Sequence, residues 1–201
     1  MPRPPRVFDP SLPYHVTTRG NDGRRIFADA WDRLMFMRLL ERAVKRFELR
    51  CAGYCIMTTH YHMLFAAGVE RLPAAMHFLN GGYAQAFNRR HGREPHVFGR
   101  RYAAIAIEND LHLFAAHRYL ALNPVAAKLC ERPADWPWSS YGAIAGVRSA
   151  PRLLDVDATL RLFAADRLAA TARFRAFVEP ETAAAAVADR EGERRTVPAV
   201  G

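Results

Sequence analysis

The apolar run from Leu49 to Ala67 constrains the fold of this chain more than any other stretch. Its first half, Leu49–Met57, is rich in residues that favour β-strands, and the apolar character resumes after two threonines. Thr58 and Thr59 are suited to the turn of a hairpin. The pattern therefore predicts two central strands joined tightly at these threonines.

The second strand of that hairpin carries a histidine pair, His60 and His62, within the sequence MTTHYHMLF. Side chains alternate along a strand, so both imidazoles point to one face while Tyr61 points to the other. Two interpretations remain open at this stage. The histidines are hydrogen-bonded side chains on a partly solvated face, or they are a pair of metal ligands.

Further elements surround the hairpin. Apolar spacing and turn residues predict strands at 14–18 and 102–108 and helices at 29–47, 73–90, 111–122 and 157–178. The order is β-α-β-β-α-β-α. Its first six elements match the α+β class with a ferredoxin-like split βαβ arrangement, an antiparallel sheet with helices packed on one face, followed by a C-terminal helical tail. We expect a main domain over 1–146, a helical extension over 147–180 and a disordered end over 181–201.

The charge indicates the kind of partner. A formal charge of +9, carried almost entirely by arginine, favours a polyanion, and nucleic acid is the first candidate. A bias in genome composition would give the same excess. Three cysteines without ligand spacing predict reduced thiols in the cytoplasm, and no stretch has the length of a membrane span.

The most basic segment precedes the predicted fourth strand and contains Arg89, Arg90, Arg100 and Arg101. Tyr102 and neighbouring rings offer faces on which bases can stack. A solvated loop remains an equal alternative.

The third predicted helix contains HRYLALNPV, which places Tyr119 and Asn123 one turn apart on one face. If this helix crosses the sheet near the histidines, two imidazoles and an amide oxygen could hold a divalent ion with positions left for phosphate oxygens. A tyrosine hydroxyl beside that ion could attack phosphorus and form a phosphotyrosine. Taken singly, a tyrosine such as Tyr119 is more often a core residue with a hydrogen-bonded hydroxyl, and Asn123 before proline is ordinarily a turn residue.

Several segments together resemble the REP-associated tyrosine transposases, within the HUH single-strand endonucleases and single-tyrosine insertion-sequence transposases. The resemblance runs over about residues 10–145 through YHVTTRGN, HYH, FNRRHGREPHVFGRRY, HRYLALNPVAAKL and WPWSSY. It implies Tyr119 as the nucleophile, His60, His62 and Asn123 as metal ligands, and Mg²⁺ or Mn²⁺ as the ion. Expected DNA contacts are Arg19, Asn21, Arg89, Arg90, Arg100, Arg101 and Tyr102.

The resemblance implies a metal-dependent endonuclease and strand transferase that cuts single-stranded DNA beside repeat hairpins and leaves a 5′-phosphotyrosine. The expected location is the cytoplasm, at the nucleoid, as a monomer or homodimer. Alternatives are a domesticated protein that binds hairpins without cutting and, less favoured, an RNA-binding domain. Two positions depart from the family pattern. Thr58-Thr59 stands where relatives have Pro-Asn, and Tyr61 replaces an aliphatic residue between the histidines.

Overall fold

The structure, a computed structural model, describes residues 8–92 and 96–179. The predicted disorder over 181–201 lies outside the described residues. Within them, four strands form one antiparallel sheet: β1 (Tyr14–Arg19), β2 (Cys51–Ile56), β3 (His60–Phe65) and β4 (Ala103–Ala106). Their order across the sheet is β2-β3-β1-β4. A split βαβ unit requires this order, since each helix crossover leaves a gap that a later strand fills. The predicted fold class is confirmed.

Six α-helices connect and cover the strands in the described part of the chain: α1 (Ala30–Arg46), α2 (Leu72–His91), α3 (Asp110–Ala126), α4 (Tyr141–Ile144), α5 (Val156–Leu160) and α6 (Arg167–Val178). The first two pack side by side on one face of the sheet. Phe36 of α1 and Tyr83 of α2 meet there, and the Phe36 ring also lies 4.6 Å from that of Tyr61. These aromatic contacts form the centre of the larger core.

The start of α1 is fixed by two carboxylates. Asp29 accepts a hydrogen bond from the Asp32 amide at 3.1 Å, and Asp32 accepts one from the Ala28 amide at 2.8 Å. This reciprocal arrangement satisfies backbone donors that a helix start leaves without partners. Arg90, at the end of α2, bonds both carboxylates and so ties the two helices together.

The third helix lies on the opposite face of the sheet. Ala116 and Leu120 of α3 pack there against Ala52, Cys55 and Leu64 in a smaller apolar cluster. Helix α3 lies directly over Gly53 of β2, where a Cβ would lie 3.4 Å from a methyl carbon of Leu120, an ordinary contact distance. The helix extends to Ala126, beyond the predicted end at 122, and Pro124 lies inside it.

The C-terminal part differs from its prediction as a single helix over 157–178. It forms α5 and α6, each capped by an aspartate, Asp155 and Asp166. The extension is joined to the sheet: the Asp155 amide bonds the Cys51 carbonyl, and the Thr159 hydroxyl donates to the Ala52 carbonyl at 2.8 Å.

The WPWSSY segment covers the outer edge of β2. The Ile56 amide donates to the Trp138 carbonyl at 2.8 Å, and the Ser140 amide to the Tyr54 carbonyl at 2.9 Å. Backbone groups of an edge strand that would otherwise be available for association are thereby paired. Among the residues that the structure describes, no helix is long and apolar enough to cross a membrane.

Candidate active site

Strand register brings the histidine pair against β1. Thr17 lies directly opposite His62, and Arg19 opposite His60. Residues facing each other across an antiparallel pair have Cβ atoms about 5 Å apart, so their side chains interact. The face that carries both histidines therefore also carries alternate residues of β1. The His60 and His62 rings are 4.9 Å apart, and the prediction that they share a face is confirmed.

The hairpin turn before His60 is held by the segment after β1. The Thr58 carbonyl accepts hydrogen bonds from the Ile26 and Phe27 amides, and the Thr59 carbonyl accepts one from Gly20. The Thr59 hydroxyl lies 3.0 Å from His60 Nδ1. This contact orients the ring and involves one of its two nitrogens. The Thr58-Thr59 pair thus has a clear structural role at this turn.

His62 is held through its Nδ1 by two side chains of β1. That atom lies 3.0 Å from His15 Nε2 and 3.1 Å from the Thr17 hydroxyl. Burial, with a smaller contribution from His112, lowers the pKa of His15 to about 4, so His15 is neutral at pH 7 and its Nε2 can accept a hydrogen bond from the Nδ1–H of His62. With its proton on Nδ1, His62 presents the lone pair of Nε2 on the other side of the ring.

Helix α3 brings its two predicted site residues, Tyr119 and Asn123, to this face of the sheet. The Tyr119 ring is 5.1 Å from the His62 ring and 5.9 Å from that of His15. Asn123 Nδ2 lies 3.5 Å from His62 Nε2. Both contacts arise within a single chain. Asn123 is a buried helical residue, which excludes the interpretation as a turn residue.

The donor set fits a divalent cation in one specific respect. Asn123 Oδ1 is buried, and no hydrogen-bond donor among the described residues reaches it. A buried amide oxygen without a partner is costly, and a cation would satisfy it. Rotation of the Asn123 side-chain amide by half a turn places Oδ1, in place of Nδ2, beside His62 Nε2. The described ranges contain no cluster of three histidine, cysteine or acidic side chains arranged to hold a metal. The candidate set consists of the residues that the contacts bring together, His60, His62 and the Asn123 amide.

Tyr61 lies on the other face of the sheet. Its hydroxyl donates to Asn80 Oδ1 of α2 at 2.5 Å, and burial raises the pKa of that hydroxyl. The expectation that Tyr61 points away from the histidines is confirmed.

Four of the predicted DNA contacts line one surface depression of about 390 Å³, which we name the basic depression. They are Arg19, Asn21, Arg100 and Arg101, and all but Asn21 are exposed. The wall of the depression also includes Thr17, the residue that contacts His62. The depression is therefore continuous with the face that carries the histidines.

The other predicted contacts lie elsewhere. Arg90 is engaged with Asp29 and Asp32 and stacks over Trp31, so its guanidinium has a structural role. Arg89 is exposed in the last turn of α2. Tyr102 is buried and lines a separate cleft of about 540 Å³, which shares Arg100 and Arg101 with the basic depression.

His15 and Thr17 are site residues that the sequence prediction missed. Their period-two spacing in YHVTTR places them on one face of β1. The sequence thus shows that the two residues share a face. Only the strand order, which places β1 beside β3, shows that this face also carries the histidine pair.

The chain is similar in fold to known proteins. The structure of a REP-associated tyrosine transposase bound to a REP hairpin is similar with a TM-score of 0.60 at 15% identity, over 83% of this chain and 93% of that one. A putative transposase from Deinococcus radiodurans gives a TM-score of 0.42 at 14% identity, over 55% of this chain and 90% of that one. No curated protein matches. The family model described as "Transposase IS200 like" matches residues 9–123. The chain therefore belongs to the family of IS200-like transposases.

Proposed function

We propose that this protein is a metal-dependent endonuclease and strand transferase that cuts single-stranded DNA beside repeat hairpins through a 5′-phosphotyrosine. The observation that carries the proposal is the convergence of Tyr119, His62 and Asn123 on one face of the sheet. The structurally similar transposase is described with a REP hairpin bound, which supports the same class of substrate here.

His60, His62 and Asn123 would hold the cation, Mg²⁺ or Mn²⁺. When bound, such an ion polarises a phosphodiester and neutralises charge that develops on its oxygens. The chain prepares the ligands for this role. His15 and Thr17 hold the proton of His62 on Nδ1, Thr59 orients His60, and the buried Asn123 oxygen has no competing donor among the described residues.

Tyr119 is the proposed nucleophile. Its oxygen forms a bond to phosphorus while the bond from phosphorus to the 3′ oxygen of the DNA breaks, and the phenolic proton is balanced by protonation of that 3′ oxygen. The product keeps one phosphodiester linkage, so a later attack by a 3′ hydroxyl can rejoin DNA without an external energy source. Packing of the Tyr119 ring against His62 and His15 limits its orientations.

The basic depression is the proposed path of the DNA backbone toward the site. Arg19, Arg100 and Arg101 supply exposed guanidinium groups, which bind phosphates in a planar, bidentate manner. Arg19 lies opposite His60, so a phosphate held there is close to the candidate cation site. Arg89 and Tyr102 are proposed to contribute outside the depression, whereas the carboxylates around Arg90 leave it less available.

The test is covalent adduct formation with labelled single-stranded hairpins from repeats that flank the gene, with Mn²⁺ or Mg²⁺, on a denaturing gel. Wild-type protein should give a metal-dependent adduct, and Tyr119→Phe should give none. Tyr61→Phe is the matched control because it removes a nearby hydroxyl on the opposite face, and it should retain the adduct.

Two outcomes would redirect the proposal. An adduct retained by Tyr119→Phe would show that another residue attacks phosphorus. Hairpin binding that needs no metal and gives no adduct under any condition would favour a protein that binds hairpins without cutting. In that case Arg100→Gln should still weaken binding, because the phosphate contacts serve either function.

A further inference from the structure

The cleft of about 540 Å³ that contains Tyr102, which we name the α2 cleft, lies between α2 and the segment leading into β4. Gly99, Arg100 and Arg101 line both this cleft and the basic depression, so the two share a wall. The Gly99 amide donates to the Arg19 carbonyl at 3.2 Å, which fixes the shared wall to the end of β1. A DNA strand whose phosphates follow the arginines therefore passes the mouth of the α2 cleft.

Aromatic and apolar side chains form part of the wall of the α2 cleft. Met76 and Tyr102 are buried, whereas Phe98 is half-buried. The Phe98 ring packs against the rings of Tyr61 and Tyr83, with centroids 6.3 and 6.2 Å apart, so its orientation is held from behind. A supported ring that keeps part of its surface exposed is suited to stack on a planar base.

One polar side chain in this wall has a fixed orientation. Asn80 of α2 is half-buried, and its Oδ1 accepts a hydrogen bond from the Tyr61 hydroxyl at 2.5 Å. Its Nδ2 makes no hydrogen bond within the described part of the chain, and it is not one of the buried polar atoms that lack a partner. The NH₂ group is therefore accessible, and it can only donate hydrogen bonds.

The charges at the α2 cleft have one sign. Arg100 and Arg101 are exposed and form no ion pair with other described residues, and no aspartate or glutamate is among the described residues that line the cleft. Guanidinium groups donate hydrogen bonds and accept none. These donors match a ligand that combines a phosphate with a carbonyl oxygen. Among the bases, guanine and thymine carry a carbonyl oxygen where adenine and cytosine carry an amino group.

We propose that the α2 cleft binds one unpaired base of the DNA and selects guanine or thymine. Phe98 stacks on the base, Asn80 Nδ2 donates to its carbonyl oxygen, and Arg100 and Arg101 hold the adjoining phosphates. This assignment rests on the proposed function, because the same DNA supplies the base. A base inside a duplex is paired and stacked, so the occupant comes from the single-stranded flank of the hairpin.

The test measures binding of labelled hairpins with a single-stranded flank by fluorescence anisotropy, at one salt concentration and without metal so that no cutting occurs. Each flank nucleotide is replaced in turn by an abasic site. One position should lose about tenfold or more in affinity, the effect of one stacked base. At that position guanine and thymine should bind about tenfold more tightly than adenine and cytosine.

Asn80→Asp replaces the donor by an acceptor and keeps an oxygen for the Tyr61 hydroxyl. This variant should prefer adenine and cytosine at the sensitive position, because a carboxylate oxygen accepts from their amino groups. Gln85→Glu is the matched control, since it makes the same amide-to-carboxylate change at an exposed position of α2 and should leave the preference unchanged. Phe98→Leu should reduce the abasic penalty to less than about threefold, because no ring remains for the base to stack on. Circular dichroism establishes that each variant is folded.

The possible results separate this assignment from the cutting reaction. A guanine and thymine preference that Asn80→Asp reverses and Gln85→Glu retains supports the α2 cleft, even where no adduct forms with metal. Equal binding of the four bases, a wild-type preference for adenine and cytosine, or a preference that Asn80→Asp leaves unchanged overturns it. Absence of hairpin binding, or an abasic penalty that Phe98→Leu leaves whole, overturns it as well. Adduct formation by Tyr119 requires none of these preferences.

Discussion

The two β1 side chains that hold His62 provide the sharpest test of the proposed site. His15 and Thr17 both lie within about 3 Å of the same nitrogen, His62 Nδ1, at 3.0 and 3.1 Å. In the tautomer with the proton on Nδ1, His62 shares a single N–H between these two acceptors, and one acceptor remains when the other is removed. His15→Phe and Thr17→Val alone should therefore have small effects, and the double variant should have a large one.

The magnitude follows from burial. His62 is 4% exposed, so removing both acceptors leaves a buried N–H group without a partner, at a cost of about 1–3 kcal/mol. The ring avoids this cost by moving its proton to Nε2, the nitrogen beside Asn123. A ligand nitrogen that carries a proton cannot bind a cation. We expect the double variant to bind Mn²⁺ about 10- to 100-fold more weakly, and each single variant less than about threefold more weakly.

Two measurements check this prediction. Electron paramagnetic resonance of free Mn²⁺ gives the affinities of the four proteins, and their double-mutant cycle gives the coupling. Nitrogen-15 spectra of labelled histidines in metal-free protein report directly which nitrogen of His62 carries the proton. The reasoning is refuted if one single variant weakens Mn²⁺ binding as much as the double variant does. It is equally refuted if the double variant keeps the proton on Nδ1.

Three further predictions concern stability and are measured by chemical denaturation. Gly20→Ala should cost about 1–3 kcal/mol or more, because its Cβ would lie 2.2 Å from the Arg24 carbonyl oxygen; unchanged stability would contradict this. Asp32→Ala should cost about 3–5 kcal/mol, since its side chain is fully buried in an ion-pair network, whereas Arg71→Ala in an exposed pair should cost less than about 1 kcal/mol. Burial lowers the pKa of His117 from about 6.5 to about 4. Between these pH values the unfolded chain binds more protons than the folded protein, so the free energy of unfolding falls as pH drops, by up to about 3 kcal/mol. In His117→Leu the loss between pH 7 and pH 4 should be smaller by this amount, and an unchanged loss would show that His117 titrates normally.

The elements of the sheet and its first two helices could be predicted because local and tertiary signals agree there. Asp29 caps α1 next to a periodic apolar face, and the Thr58-Thr59 turn separates two apolar strands. The C-terminal helices were harder to separate. The 157–178 pattern remains apolar at helical spacing across the break between α5 and α6, and only the cap at Asp166 marks the new helix.

Some contacts of the candidate site could likewise be predicted from the sequence, and others could not. His60 and His62 share a face through the geometry of any strand, and Tyr119 and Asn123 share one through the geometry of any helix. Those pairs could be predicted from spacing. The contact between His15 and His62 could not, because it depends on which strands pair and in which register, and 47 positions separate the two residues.

Helix α3 shows why polar residues in some helices indicate function. Its buried residues include Ala116 and Leu120, which pack toward the sheet cluster, and Ala121 and Leu122, which belong to the main core. A helix with apolar residues on all sides is one that is enclosed by its neighbours, so periodicity does not reveal its inner face. In such a helix a polar side chain loses its contacts with water on any face of the helix. The free-energy cost of that loss is offset where another group binds the side chain. Asn123 beside His62, and His117, are two such positions, and each has a buried polar atom for which the described residues provide no partner. At Asn123 the proposed cation would supply the missing partner.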